Sequence, residues 1–217
     1  MFSKPKELEI NHHAIKLLIG FIALLVAGMA NQLSGLPPID SISESYHRTD
    51  WARNIFVGSL FAIFALLITY NGRSWFEWGL SKGAAFAALG VALYPCSCGD
   101  PTDLASRIHG ISAGVMFIIL AIFCYLFILR AKTKEYGQAK WRICIYSLCC
   151  VAIVVSVALI AINFMTDNGV AKYVNRPVYV FEAVGLIAFG IAWLTASRTL
   201  PFITHQDERV SISPFND

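Results

Sequence analysis

Six stretches of this chain, residues 14–33, 52–70, 80–95, 108–129, 142–164 and 177–196, are predominantly apolar, with no alternation of polar and apolar positions. Most come close to the ~20 residues a helix needs to cross the hydrocarbon of a bilayer. Lipid offers no partner to an exposed backbone N–H or C=O, so only helices and closed barrels span it, and the strands of a barrel would alternate. The runs therefore predict an all-α polytopic membrane protein, a six-transmembrane-helix bundle. Composition agrees: 14% of the residues are charged, against about 25% in soluble domains, and the mean hydropathy is +0.61. The connections are too short to hold a second domain, and no internal repeat is visible, so residues 1–217 read as a single transmembrane domain. The basic leader "MFSKPKELEINHHAIK" and the later "AGMANQ" have the outline of a signal peptide. The apolar stretch between them is longer than an ordinary signal-peptide core, which favours a retained first helix.

Lysine and arginine set the expected orientation. With the N-terminus in the cytoplasm, twelve of the 17 lie inside, against Arg48, Arg53, Arg107, Lys172 and Arg176 outside. Positive residues concentrate on the cytoplasmic side of membrane proteins, so both termini are expected to be cytoplasmic. The net charge of +3 then reflects topology, and nucleic acid is not an expected partner. The loop "RAKTKEYGQAKWR" reads as a cytoplasmic anchor with weak attraction to anionic lipid heads.

In this orientation most residues with acid–base or ligand capacity gather outside. The segment "SISESYHRTDWARN" supplies Ser43, Glu44, His47, Asp50 and Arg53; later loops and helix heads supply Cys96, Cys98, Asp100, Asp103, His109, Asp167 and Glu182. Glu182 is the most informative of them. Five residues beyond Pro177, it sits ~7–8 Å into the sixth helix at ~1.5 Å per residue. A lone carboxylate facing acyl chains is costly, so it should point into the bundle and find a partner. Arg53 and His109 stand at comparable depth. A structural ion pair or hydrogen bond closing the outer end of the bundle and an acid–base or substrate-contacting group are both open readings.

His47, His109 and Glu182 could hold zinc with an open position, although their spacing matches no metal signature. Ser43 and His47, four residues apart, would share a face as nucleophile and base if the second helix began early. The same segment may be read as loop, with Thr49 or Asp50 capping that helix. Cys96 and Cys98 are too close in sequence for an unstrained bridge. Cys124, Cys144, Cys149 and Cys150 read as small buried hydrophobes. The third run, "KGAAFAALGVAL", is so poor in bulky residues that it is expected at the centre of the bundle, with Gly110 and Gly114, and Gly185 and Gly190, offering further small faces for close approach. Trp51, Trp75, Trp78 and Trp141 are placed as interfacial anchors. The middles of the helices carry only scattered polar groups such as Ser112, Ser156 and Asn163, which argues against a transporter.

Three segments in order resemble the Frag1/DRAM/Sfk1 family of six-helix membrane proteins. They are "SISESYHRTDWARNIFVG" with Ile42, Ser43, Glu44, Phe56 and Gly58, "HGISAG" with His109, and "VFEAVGLIAFGIAWLTASR" with Glu182. The Pro- or Gly-rich continuation that the family carries after its Ser-acid element is replaced here by "SYHRTDWAR". The resemblance implies a polar site on the noncytoplasmic side and a role in lipid distribution or remodelling, without implying an enzyme. A second likeness, to alkaline ceramidases and adiponectin receptors, rests on Ser43 and His47 in "SESYH" but lacks the later His-x-x-x-His of their zinc site. The expectation is an integral membrane protein of the bacterial inner membrane. Its pocket, facing the periplasm or lumen, engages lipid head groups or a membrane protein partner. The alternative is a membrane-embedded lipid hydrolase or transferase using His47, His109 and carboxylates, with zinc as its candidate cofactor.

Overall fold

The computed structural model describes residues 11–96, 103–135 and 137–209. Among these, six α-helices account for the membrane-like bulk: α1 (His12–Leu33), α2 (Asp50–Thr69), α3 (Trp75–Leu93), α4 (Leu104–Lys132), α5 (Gly137–Met165) and α6 (Pro177–Ala196). Short 3-10 turns occupy Ile42–His47, Gly169–Lys172 and Gln206–Glu208. Five of the α-helices are long and apolar enough to cross a membrane; α3 falls outside that group. The molecule is an integral, helical membrane protein.

The helix starts are written locally. Asn11 caps α1, its side chain accepting from His13 N at 2.9 Å and Ala14 N at 3.2 Å. Thr49 caps α2 by accepting from Ala52 N at 3.2 Å, and its hydroxyl also donates to Leu33 O at 2.8 Å, tying α2 to the end of α1. Ser74 caps α3 through Glu77 N, and Glu77 reaches back to accept from Arg73 N, a variant of the reciprocal Ser-x-x-Glu arrangement. Pro177 opens α6, where its missing N–H costs nothing.

Each helix packs against its neighbours in the chain, and α1 closes on α6, so the six form a ring in which direction alternates. One end carries Glu182 and the 3-10 turn Ile42–His47; the other carries the C-terminal tail with Glu208. Where α1 meets α6 the backbones nearly touch: a Cβ on Gly20 would lie 2.8 Å from Gly190 O, and one on Gly190 2.9 Å from Gly20 O. Between α3 and α4, Gly90 sits against the Ser112 side chain. Gly185 receives the ring of Phe117, whose Cε1 would be 2.8 Å from an added Cβ. Lipid supplies little net force pressing helices together, so such close approaches, with their dispersion contacts, carry much of the association.

The middle of the ring is layered. Towards the Glu208 end, Trp193 is fully buried among Tyr70, Phe123, Phe127 and Phe189, with ring centroids 5.6, 5.5, 5.9 and 5.4 Å away. Above this aromatic layer the ring encloses a cavity; below it lies a second, polar one.

Several expectations change. The third helix begins at Trp75 rather than 80, because Ser74 caps it there and Glu77 is buried in an ion pair with Arg130. Helices α4 and α5 run to 29 residues each, their charged ends continuing past the apolar runs. Helix α3 stands in the ring between α2 and α4 and does not occupy its centre. A side chain added at Gly110 or Gly114 would meet nothing within 4 Å, so these two glycines do not mediate close approach. The four tryptophans assigned to interfaces are 42–84% exposed near helix ends, as anchors would be.

Candidate functional site

The segment between α1 and α2 is a plug inserted into the open end of the ring. Ile39 and Ile42, at 0% and 2% exposure, anchor it among the helices. Its backbone is latched to α6, Tyr179 N donating to Asp40 O at 2.9 Å. Arg176, just before α6, donates to Asn31 at 3.0 Å and to Ile39 O at 3.1 Å while lying over the ring of Tyr179. This anchoring turns the polar residues of the plug inwards. Ser41 caps the 3-10 turn by accepting from Ser43 N, and its hydroxyl donates to Glu182 Oε2 at 2.9 Å. Ile42 N donates to the same oxygen at 2.5 Å. The carboxylate placed by sequence inside the sixth helix thus finds its partners in hydroxyl and amide donors of the plug, not in Arg53.

Ser43, 7% exposed, lies between Glu182 and His109. Its Oγ is 3.5 Å from Glu182 Oε1 and 2.9 Å from His109 Nε2. His109 Nδ1 is 2.7 Å from Tyr94 O. A carbonyl only accepts, so Nδ1 carries the proton, and in the neutral ring Nε2 is left as an acceptor. The Ser43 hydroxyl then donates to His109. In the imidazolium form Nε2 would donate instead, and the Ser43 proton would turn to Glu182. Serine here couples a base to an acid through one rotatable hydrogen.

The other candidates lie elsewhere. Glu44 pairs with Arg48 and accepts from Asp40 N at 2.7 Å. His47 Nε2 contacts Cys96 O at 2.5 Å, so the serine–histidine pair is Ser43 with His109 and not with His47. Asp50 and Arg53 form an exposed pair at 3.0 Å, with carboxylate and guanidinium 84% and 49% exposed, and neither enters the cluster. The convergence of seven residues thus reduces to Ser43, His109 and Glu182, joined by Ser41. Asp103 precedes α4 without a side-chain capping bond. Cys124 and Cys149 are buried as expected, whereas Cys144 is exposed. Cys98 and Asp100 lie outside the described residues. Among those described, no group of three or more His, Cys, Asp or Glu side chains could hold a metal ion, so the zinc arrangement of His47, His109 and Glu182 does not form.

Ser43 and Glu182 form the head of the upper cavity. Below them the lining is apolar apart from Ser59: Phe56, Leu60, Ile63 and Leu67 along α2, faced by residues such as Val26, Met116, Leu120 and Phe189. The centre of a water-sized sphere can occupy about 50 Å³ of it. The four α2 positions spread this room over about 16 Å of helix. The space follows α2, with its one carboxylate, Glu182, at the head beside Ser43.

The fold and the site together define a polytopic membrane protein in which a helical ring encloses an apolar slot headed by a serine–histidine–carboxylate cluster. Residues 51–199 match the family described as "Protein of unknown function (DUF998)", and the chain belongs to that family. The match takes in His109 and Glu182 and begins after the plug that carries Ser41 and Ser43. It does not link the chain to Frag1, DRAM or Sfk1. No curated protein and no solved structure matches the chain.

Proposed function

We propose that this protein binds a membrane lipid at the Glu182 end, drawing one alkyl chain into the slot and holding the polar part of the molecule against Ser43 and Glu182. The slot carries the proposal: a largely apolar cavity with hydrogen-bonding groups at its head matches an amphiphile and suits neither an ion nor a sugar. In this reading all six helices span the bilayer. At 19 residues, α3 is about 28 Å long, enough for the hydrocarbon. The distribution of Lys and Arg supports cytoplasmic termini and a lipid site facing the periplasm or lumen, in a bacterial inner membrane. Native mass spectrometry of the detergent-purified protein tests the reading. Wild type should retain a lipid that Leu60→Trp, which fills the slot, releases. Equal retention by both would overturn it.

A second reading is favoured by one further observation, the 2.9 Å approach of Ser43 Oγ to His109 Nε2 with Nδ1 fixed by Tyr94 O. This is the arrangement of an activated serine, with a backbone carbonyl in place of the usual carboxylate. Ser43 Oγ would attack an ester carbonyl carbon as its proton passes to Nε2. The alkoxide leaving group would take that proton, and water activated by the same imidazole would release the acid from the acyl-serine. A fluorophosphonate probe distinguishes this from binding alone: labelling of Ser43 that disappears in His109→Gln supports an enzyme. A Ser43 that stays unlabelled removes the mechanism and leaves the binding proposal standing.

A further inference from the structure

The second cavity, at the Glu208 end, collects charge of one sign. About 30 Å³ in the same measure, it is lined by Lys16, Arg73, Arg130, Lys134, Arg142 and Arg198 over a floor that includes Phe127 and Tyr146. Two carboxylates meet these six cations. Glu77 is paired with Arg130. Glu208, brought in by the C-terminal tail, lies 2.6 Å from Arg142, 3.1 Å from Lys134 and 3.7 Å from Arg198. Lys16 is left over. It is 7% exposed, lines the cavity, and has no hydrogen bond or ion pair among the described residues; its Nζ lies 5.6 Å from the ring centre of Tyr70 and 5.7 Å from that of Phe127. Burying an ammonium with only aromatic faces for company is unfavourable unless an anion completes the site. Outside the helices, burial ahead of the nearby Arg73 and Arg142 pulls the Arg198 guanidinium below its ordinary range, even with Glu208 beside it. The cavity is short of negative charge.

We propose that this cavity is a binding site for a phosphate group, with Lys16 at its base and Arg73, Arg130 and Arg198 at its mouth. Guanidinium forks match phosphate oxygens, and a buried ammonium adds a point charge that no carboxylate among the described residues neutralises. A simple carboxylate offers two acceptor oxygens, and a sulfonate a single negative charge, where a phosphate monoester offers three oxygens and up to two charges to four such donors. The group may be presented by a soluble phosphate compound or by the head of a phospholipid in the adjacent leaflet, and the chemistry recognised is the same. The site is independent of the upper slot, from which the aromatic layer around Trp193 divides it.

Thermal unfolding of the full chain tests the site. In detergent, inorganic phosphate is compared with chloride at equal ionic strength; in nanodiscs, phosphatidylcholine alone is compared with phosphatidylcholine containing phosphatidic acid. Phosphate or phosphatidic acid should raise the midpoint in a saturable manner where its control does not. A response to inorganic phosphate assigns a soluble ligand, and a response to phosphatidic acid alone assigns a lipid head. Lys16→Met should weaken the binding about tenfold or more, the scale of one charged hydrogen bond, and should raise the midpoint without ligand because a buried charge is gone. Lys140→Met, on the exposed surface outside the cavity, should leave the response unchanged. Should Lys16→Met fail to fold, Arg73→Gln replaces it, because Arg73 is exposed. No response to either phosphate form, or an undiminished response in the cavity variant, overturns the proposal.

Discussion

At the scale of single residues, the buried charges at the two ends of the ring differ: Glu182 has its donors, and Lys16 has no ion pair among the described residues. Glu182 accepts from Ser41 Oγ and Ile42 N through one oxygen, while its second faces Ser43. Glu182→Gln keeps the shape but can turn an amide N–H₂ toward those donors, or withdraw charge from them. The variant should lose about 1–3 kcal/mol of stability, as expected when a buried hydrogen-bond group is left unmatched. Asp50→Asn, in an exposed pair, should stay within about 0.5 kcal/mol. Thermal midpoints in one detergent compare the two, and equal losses would show that the cluster contributes no more than the surface. Glu182 was legible in the sequence because an acid one turn and a half into an apolar helix must face inward. Its partner was left open in the sequence between an ion pair and a hydrogen bond, and the plug decides for neutral donors, Ser41 and Ile42, over Arg53. No residue pattern announces a backbone carbonyl, so Tyr94 as the orienter of His109 was beyond sequence reasoning. Lys16 was visible as a lysine within the first run, yet only the ring shows it buried.

Among the elements, the α1–α6 contact sets backbone against backbone. Gly190→Ala places a Cβ 2.8 Å from Leu24 Cγ and 2.9 Å from Gly20 O, and a backbone atom cannot swing aside. Overpacking of this kind costs about 1–3 kcal/mol, whereas Gly110→Ala, which meets nothing within 4 Å, should be neutral or better because alanine is the better helix former. Denaturation in mixed micelles would show the contrast, and matched behaviour would mean that the ring closes elsewhere. The existence of the helices was plain from unbroken apolar runs. Their ends were not, since α3 starts on exposed aromatic residues around Glu77, whose burial depends on Arg130, a partner 53 positions away. Small-residue composition placed α3 at the centre, but small residues also serve any helix wedged between two neighbours. Which glycines touch a neighbour depends on helix rotation, and composition does not encode rotation.

For the whole molecule, the C-terminal tail is part of the fold. Glu208 bridges α4, α5 and the end of α6 through Lys134, Arg142 and Arg198. Burial pushes its carboxyl up, but hydrogen bonds from Lys134 and Arg142 and the charge of Arg198 outweigh that and hold it below its ordinary value of 4.5. A depressed folded-state value means that the tail's contribution is complete above that value and fades as the pH falls through the lower, folded one. Tail protection from carboxypeptidase should therefore persist at neutral pH and weaken in acid. Glu208→Gln should weaken it at every pH, with a stability loss of about 3–5 kcal/mol because Arg142 is left buried and unpaired. Protection that ignores both acid and the substitution would mean that the tail is held by something else. The apolar runs gave no hint of this closure: the tail lies past the last of them and reads as a soluble end.

The aromatic layer around Trp193 also sets the electrical character of the molecule. It fills the ring with low-dielectric rings where a water file would otherwise run from one face to the other. Most of a transmembrane voltage would fall across it, and water reaching the Ser43–His109 pair would come from one compartment alone. Vesicles carrying the protein should consequently hold an imposed proton gradient as long as empty ones, and a Trp193→Ala variant should drain it.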